Sequence, residues 1–220
     1  MLHLLTIVYG DYHVDLFKRA CLHSLAMDRN KQALANKDTV WHIFTDEKHM
    51  QRVHGWVKEA IPEITTDVRD IAEARRYVDE SLSAYVMCME ECLKDNSPLI
   101  FAPPDIFFGD GSIPNMIKVG YEPNAVVTIP HVRVNPTLLG EFQIFQRAPV
   151  SNAKLVSLAW TNLHRCWGDA ELGHPRQNQF GTGVLWQRLD ESLITVCHRL
   201  PTPYFMKFTT EDLQYFQIQA

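Results

Sequence analysis

The amino-acid sequence predicts an α/β fold in which a mostly parallel sheet is flanked by helices on both faces. Strand-like and helix-like segments alternate four times through residue 134, which is typical of a parallel sheet with crossover helices. Residues 2–9 are almost continuously apolar, as expected of a strand buried on both faces. Residues 98–112 form an apolar run that carries Asp105 just after a short strand, where open α/β sheets hold their ligands.

The individual elements follow from apolar runs for strands and from apolar spacings of three and four for helices. The predicted strands are 2–9, 39–44, 64–71, 99–102, 124–134, 183–188 and 193–199. The predicted helices are 13–27, 46–60, 72–95, 112–120 and 152–167. Thr45-Asp46 is expected to cap the second helix and Ser112 the fourth. Residues 28–38 and 168–181 are predicted loops, and the chain ends in a tail rich in Pro and aromatic residues.

The composition is that of an ordinary globular protein, with 220 residues of which 46% are hydrophobic and 21% charged. This length favours a single domain over residues 1–220. No apolar run reaches the roughly 18–20 residues of a membrane helix, and the first residues lack the features of a signal peptide. Five cysteines without a CxxC pair indicate free thiols, so a cytoplasmic location is expected. The formal charge of −5 gives no footprint for a polyanion.

The chain carries no standard catalytic signature, since GxGxxG, GxxxxGK[ST], HExxH and GxSxG are all missing. The segment 109–112, Gly-Asp-Gly-Ser, resembles a phosphate cradle but lacks the lysine of a P-loop. A structural turn is therefore the favoured interpretation of this segment.

Asp105 is the strongest candidate for a functional side chain. A lone carboxylate among Ile, Phe and Pro is costly to bury unless backbone N–H groups satisfy it or it holds a cation or a substrate hydroxyl. The alternative is a turn aspartate serving Gly109 and Gly111. His174 and His198 could return over the carboxyl end of the sheet and join Asp105 around a divalent cation, although loop histidines commonly bond to backbone.

The remaining histidines are expected to have plainer roles. Those on predicted helices, His49 among them, should be solvated or half-buried.

Three segments together resemble the GT-A fold of the nucleotide-sugar glycosyltransferases. They are the turn at Tyr9-Gly10, the strand that ends in Phe-Thr-Asp at Asp46, and Leu-Ile-Phe-Ala-Pro-Pro-Asp-Ile-Phe-Phe-Gly-Asp-Gly-Ser at 99–112. In that superfamily an apolar strand runs into an Asp-x-Asp motif followed by an apolar triplet and a Gly-Asp turn. Asp105 matches the second Asp, whereas Pro103 stands at the first. The resemblance covers residues 1–135 well and the remainder loosely.

The resemblance implies an enzyme that transfers a sugar, of hexosyl type, from a UDP-sugar or related donor to an unknown acceptor hydroxyl. Residues 1–135 would be the nucleotide-sugar-binding half, and residues 136–220 the acceptor-side half with the C-terminal tail. In the family the second Asp binds Mn²⁺ or Mg²⁺ held by the donor's diphosphate. The implied metal ligands are Asp105, His174 and His198. The implied donor-binding residues are Tyr9, Gly10, Asp46, Arg75 and Asp105, and the acceptor-side candidates are His131, Arg133 and Trp160. No catalytic residue is identified.

Two alternatives remain open. In the first, the chain is a non-catalytic α/β ligand-binding module in which Asp105 only caps the turn before Ser112. In the second, weaker one, a glycosyltransferase acts on a modified base in DNA. Because the chain is acidic overall, DNA binding would require a basic stripe formed by Arg69, Arg75, Arg76, Arg133, Arg165 and Arg176.

Overall fold

The computed structural model describes residues 1–74, 80–121, 127–128, 132, 134–135, 151–175, 184–189, 194–198 and 203–219. The chain forms two compact units, of which the first contains Met1–Val127 and Pro203–Ala220 and the second contains Thr128–Thr202. The C-terminal residues thus return to the first unit. The single domain expected from the sequence, with halves meeting near residue 135, stays a prediction.

In the described residues the main sheet has six strands, of which four adjacent ones are parallel. The strands are β1 (Leu2–Ile7), β2 (Thr39–Thr45), β3 (Thr65–Asp70), β4 (Leu99–Phe101), β5 (Val127–Thr128) and β8 (Pro203–Met206). Their order is β3-β2-β1-β4-β8-β5. Strand β1 pairs in parallel with β2 on one side and with β4 on the other, and β8 pairs antiparallel with β4. The predicted α/β class with a mostly parallel sheet is confirmed.

Helices cover both faces of this sheet, and the alternation of side chains along β2 shows how. Trp41 packs edge-on against Phe17, with the ring centroids 5.7 Å apart, whereas the neighbouring His42 points to the opposite face, where its Nε2 lies 3.6 Å from Oε2 of Glu91. The helices of the first unit are α1 (Asp11–Phe17), α2 (His23–Leu25), α3 (Asp28–Ala35), α4 (Glu47–Ala60), α5 (Glu80–Asp95), α6 (Ser112–Gly120) and α9 (Thr210–Gln219). A π-helical turn at Lys18–Leu22 joins α1 to α2.

The core under α5 joins strands to helices that are distant in sequence. It buries apolar side chains of β1, β2 and β4 against α5 and against Phe208, which follows β8. Its buried members are Leu5, Phe44, Ile71, Ala74, Ala84, Cys88, Met89, Cys92, Leu99 and Phe208. Burying one such large side chain is worth about 1.5–3 kcal/mol, so this cluster fixes the helix on the sheet.

The second unit has a small aromatic core of its own. It contains helices α7 (Asn152–Thr161) and α8 (Arg165–Gly168) and an antiparallel pair of strands, β6 (Val184–Arg188) and β7 (Ile194–His198). Trp167 and Trp186 are buried at its centre, and the indole Nε1 of Trp186 donates to the carbonyl of Trp167 at 2.6 Å.

Several predicted elements are wrong in kind or in extent. The predicted loop 28–38 contains helix α3, and the predicted tail contains β8 and α9. The single helix predicted over 152–167 is two, because His164 caps a new helix by accepting from the N–H of Cys166. The N-cap of α6 is Gly111 rather than Ser112; its φ of 92° lies in the left-handed region that favours glycine.

Some predictions lie outside the described residues. These are the part of the strand predicted at 124–134 that surrounds Val127–Thr128, the start of the helix predicted at 72–95 after a 3₁₀ turn at Ile71–Ala74, and the residues Arg75, Arg76, His131, Arg133 and Arg176. In the described part of the chain, no helix combines the length and apolarity that crossing a membrane requires.

Candidate functional site

The carboxyl ends of β1, β2 and β4 lie side by side at one edge of the sheet. The chain runs outward from β1 to β2 and β3 and then returns to the other side of β1 to form β4. The strand order therefore reverses between β1 and β4, and open α/β sheets bind ligands in the crevice at such a switch point. Tyr9 and Gly10 follow β1, and Asp105 follows β4, so the crevice is bounded by residues that the sequence analysis singled out.

A hydrogen bond joins the turn after β1 to the residue after β2. The backbone N–H of Gly10 donates to Oδ2 of Asp46 at 2.7 Å. Asp46 occupies the N-cap position of α4, as predicted, yet no hydrogen bond from its side chain caps that helix. Gly10 has φ 77°, a conformation that a side chain would strain, so glycine suits this turn. Tyr9 beside it is 51% exposed, which leaves its ring open to a ligand.

Asp105 is exposed on a turn that strong backbone contacts hold at the end of β4. The hydroxyl of Thr6 donates to the carbonyl of Ala102 at 2.7 Å, and the N–H of Ala102 donates to the carbonyl of Leu5 at 2.8 Å. Because Asp105 is exposed, its carboxylate pays little desolvation and needs no partner to be tolerated. The chain thus presents a charged group to solvent beside the switch point.

The thiol of Cys21 lies beneath this turn. It donates to the carbonyl of Ala102 at 3.7 Å. Burial, and secondarily the negative charge of Asp105, raise the pKa of Cys21 far above its usual range. The thiol therefore stays protonated and is not a nucleophile.

The turn before α6 is held by Asn30, not by Asp105. The Oδ1 of Asn30, a fully buried side chain, accepts from the N–H groups of Gly111 and Ile113, both at 3.0 Å. Its Nδ2 donates to the carbonyls of Gly109 and Ser24. The N–H of Gly111, which a turn Asp105 was expected to serve, is thus already satisfied by Asn30.

The favoured structural interpretation of the segment 109–112 agrees with these contacts. Asp110 accepts through Oδ1 from the N–H groups of Arg29 and Asn30, at 3.0 and 3.3 Å, and so caps the first turn of α3. The guanidinium of Arg29 lies against Gly111, where an added Cβ would come within 2.9 Å of it. The segment is packed against α3, as expected of a structural turn.

The sequence analysis missed a group of charged residues at the same edge. Oδ1 of Asp11, at the start of α1, lies 3.0 Å from Nζ of Lys48 and 2.9 Å from Nε2 of His49. The ammonium of Lys48 holds the pKa of Asp11 below its usual range. His49, expected to be solvated or half-buried, is buried, and Nε2 also lies 3.9 Å from Asp46. The position of Asp11 in the turn after β1 was the available signal.

The predicted metal ligands His174 and His198 belong to the second unit. Nδ1 of His174 lies 3.6 Å from Oδ1 of the buried Asp169, and His198 is the last residue of β7, in register with Val184. Among the described residues, no converging group of three metal-ligating side chains includes Asp105. Their joint coordination of a cation stays a prediction.

The acceptor-side candidate Trp160 also lies in the second unit, where packing explains it without a ligand. Its ring is half-buried, 5.0 Å from Trp186 and 6.0 Å from Trp167 between centroids. Its predicted acceptor role is untested. Arg75, His131 and Arg133 fall outside the described residues, so their predicted roles also stay predictions.

The comparisons with known proteins include a distant structural likeness. No protein-family model matches the chain, and no curated protein sequence matches it. Among solved structures, the chain is similar to mouse xyloside xylosyltransferase 1 in its apo form, with 15% sequence identity and a TM-score of 0.41. The match covers 61% of this chain and 53% of that one, so the chain spans about half of that protein's length.

Proposed function

We propose that the chain is a glycosyltransferase that binds a nucleoside-diphosphate sugar at the switch point between β1 and β4. The observation that carries the proposal is the convergence of Tyr9, Gly10, Asp46 and Asp105 on the carboxyl ends of three adjacent parallel strands. The exposed aromatic ring suits a base, and the turn that is hydrogen-bonded to Asp46 suits a ribose. The exposed carboxylate suits the sugar diphosphate.

The nucleoside would lie over the ends of β1 and β2. Tyr9 offers an exposed ring for stacking on the base, because stacking needs only an open aromatic face. The bond from Gly10 to Oδ2 of Asp46 fixes that carboxylate and leaves Oδ1 available to accept from a ribose or base hydroxyl or N–H group. We also propose that the nucleotide of the donor is UDP.

Asp105 would act at the diphosphate. Mn²⁺ and Mg²⁺ prefer oxygen ligands, and Mg²⁺ in nucleotide sites is commonly held by one or two carboxylates together with phosphate oxygens and water. The single exposed carboxylate of Asp105 fits that pattern, with Pro103 leaving the remaining positions to the phosphates and water. When bound, the cation would neutralise charge on the departing diphosphate.

In such a reaction the bond from the anomeric carbon to the diphosphate oxygen breaks while the acceptor hydroxyl oxygen bonds to that carbon. The hydroxyl proton passes to a base or to the departing diphosphate. The acceptor-side candidates His131, Arg133 and Trp160 remain part of the proposal, and the acceptor itself is undefined.

Isothermal titration with UDP, in the presence and absence of Mn²⁺, tests donor binding. We expect saturable binding that Mn²⁺ strengthens and that Asp105→Asn weakens by at least about tenfold, the equivalent of 1.4 kcal/mol. Asp15→Asn is the charge-matched control, because Asp15 is exposed and pairs at 2.9 Å with Arg19 on its own helix.

Release of UDP from UDP-glucose and related donors then separates the enzyme from a binding module. Turnover that Asp105→Asn abolishes supports sugar transfer, whereas nucleotide binding without any turnover supports the non-catalytic alternative. If UDP fails to bind with or without Mn²⁺, the proposal is wrong.

A further inference from the structure

A second cluster of ionisable side chains is buried on the α5 face of the sheet. His3 of β1 and His42 of β2 are 2% and 1% exposed. Nδ1 of His3 and Nε2 of His42 are 2.8 Å apart, and the two rings are parallel to within 7°. Glu91 of α5 brings Oε2 to 3.6 Å from Nε2 of His42. Three potential ligand atoms therefore converge within 4.8 Å of one another.

The outer nitrogens of both rings face carboxylates. Nδ1 of His42 lies 2.9 Å from Oδ2 of Asp67, and Nε2 of His3 lies 3.4 Å from Oδ2 of Asp95. A neutral imidazole has one N–H, and a neighbouring carboxylate draws that proton to the nitrogen it faces. With both protons outward, the lone pairs of the inner nitrogens point at each other, which is stable only with a cation between them.

A proton is a poor candidate for that cation. If Nδ1 of His3 donated to His42, Nε2 of His3 would hold a buried lone pair 3.4 Å from the carboxylate of Asp95, which when ionised cannot donate a hydrogen bond to it. An additional proton shared by the rings would add only one positive charge, whereas three carboxylates contact the two imidazoles.

The charges around the two rings favour a divalent ion. Three carboxylates contact the imidazoles, and Arg69 compensates only one of them: it donates to Oε1 of Glu91 at 2.8 Å and also contacts Asp67. With neutral imidazoles these groups carry a net charge of −2. A divalent cation would neutralise the cluster.

We propose that His3 Nδ1, His42 Nε2 and Glu91 Oε2 bind a divalent transition-metal ion, with zinc as the best match. Zinc bonds nitrogen and oxygen at about 2.0–2.2 Å, so tetrahedral ligand atoms lie about 3.4 Å apart. Here two of the three pairs are 2.8 and 3.6 Å apart, and all three atoms lie within 4.8 Å of one another. Asp67 and Asp95 supply the carboxylates that orient metal-bound histidines. The site is independent of the proposed nucleotide site.

The metal would tie together two strands and a helix that are far apart in sequence. An ion can enter from the side of Glu91, whose side chain is 30% exposed, although both imidazoles are buried. Because the unfolded chain does not bring the three ligands together, binding would stabilise the folded state.

Zinc titration of the chelator-treated full-length chain tests the site. We expect one zinc ion per chain and a higher thermal midpoint in zinc than in chelator. Glu91→Gln should weaken zinc binding by at least about tenfold and His42→Gln by at least about a hundredfold. Glu91→Gln is expected to stay folded, because the amide oxygen can still accept from Arg69.

The control His54→Gln removes an exposed histidine of α4 and should leave zinc binding unchanged. Cobalt substitution identifies the ligands, since a nitrogen and oxygen site gives no thiolate-to-cobalt charge-transfer band. Such a band would assign the metal to a cysteine, such as Cys166 beside His164, and overturn the proposal. Failure of the parent chain to bind zinc would overturn the proposal as well. So would a zinc affinity in both Glu91→Gln and His42→Gln that equals that of the parent chain.

Discussion

Replacing Asn30 with alanine should destabilise the first unit more than any change at Asp105. The amide of Asn30 makes four hydrogen bonds from a fully buried position. At roughly 1 kcal/mol net for each bond, their loss costs about 4 kcal/mol. The higher helix propensity of alanine returns about 0.5 kcal/mol of this. We therefore expect Asn30→Ala to lower the free energy of unfolding by about 3–4 kcal/mol.

Urea unfolding followed by far-ultraviolet circular dichroism measures this difference, and amide hydrogen exchange locates it. The N–H groups of Gly111 and Ile113 should exchange much faster in the variant, because both lose their acceptor. Gln32→Ala, an exposed change on the same helix, should stay within about 0.5 kcal/mol of the parent.

Asp105→Ala completes the comparison, because it separates a ligand-binding carboxylate from a structural cap. An exposed Asp105 that caps nothing should change stability by less than about 0.5 kcal/mol. A cost of about 0.5–2 kcal/mol at Asp105, together with less than about 1 kcal/mol at Asn30, would refute the assignment of the turn to Asn30.

Two further predictions concern the stability contributions of Asp110 and His23. Asp110→Ala should cost about 0.5–2 kcal/mol in urea unfolding, because the N–H groups of Arg29 and Asn30 lose their cap; an unchanged midpoint would contradict that role. Burial lowers the pKa of His23 below its ordinary value of 6.5, so the unfolded chain binds the proton more tightly and stability should fall as the pH drops below that value. His23→Gln should reduce this fall between about pH 7 and about pH 5, whereas the exposed His54→Gln should not.

The parallel strands could be predicted because burial on both faces leaves a direct mark on the sequence. Strands β1, β2 and β4 were recognised from short apolar runs, helix α4 from apolar spacing, and helix α6 from its start at Ser112-Ile113-Pro114. The position of Asp105 at the carboxyl edge then followed from the rule that open α/β sheets hold their ligands there, whereas Gly10 and Asp46 came from the resemblance to the GT-A fold.

The missed elements depend on contacts that are distant in sequence. Helix α3 is mostly polar, and its first turn is capped by Asp110, some 80 residues later in the chain. Strand β8 begins with Pro203, which a sequence pattern treats as a breaker, and it forms by pairing with β4. The local propensities of the segments that form α3 and β8 give no information about Asp110 or β4.

The proposed nucleotide site and the proposed zinc site likewise differ in how far the sequence predicts them. The switch-point residues follow strands directly, so a pattern of apolar runs finds them. His3 and His42 lie inside strands with ordinary apolar neighbours, and Glu91 lies on a helix, so they meet only through the pairing of β1 with β2 and the packing of α5 on the sheet.

A crystal structure of the chain with UDP and Mn²⁺ tests the proposed function most directly. We expect the diphosphate to lie between Gly10 and Asp105, with the base near Tyr9 and the cation in contact with the Asp105 carboxylate. Nucleotide bound elsewhere on the chain, or a crevice between β1 and β4 that stays empty of nucleotide at saturating UDP, would contradict the proposed site.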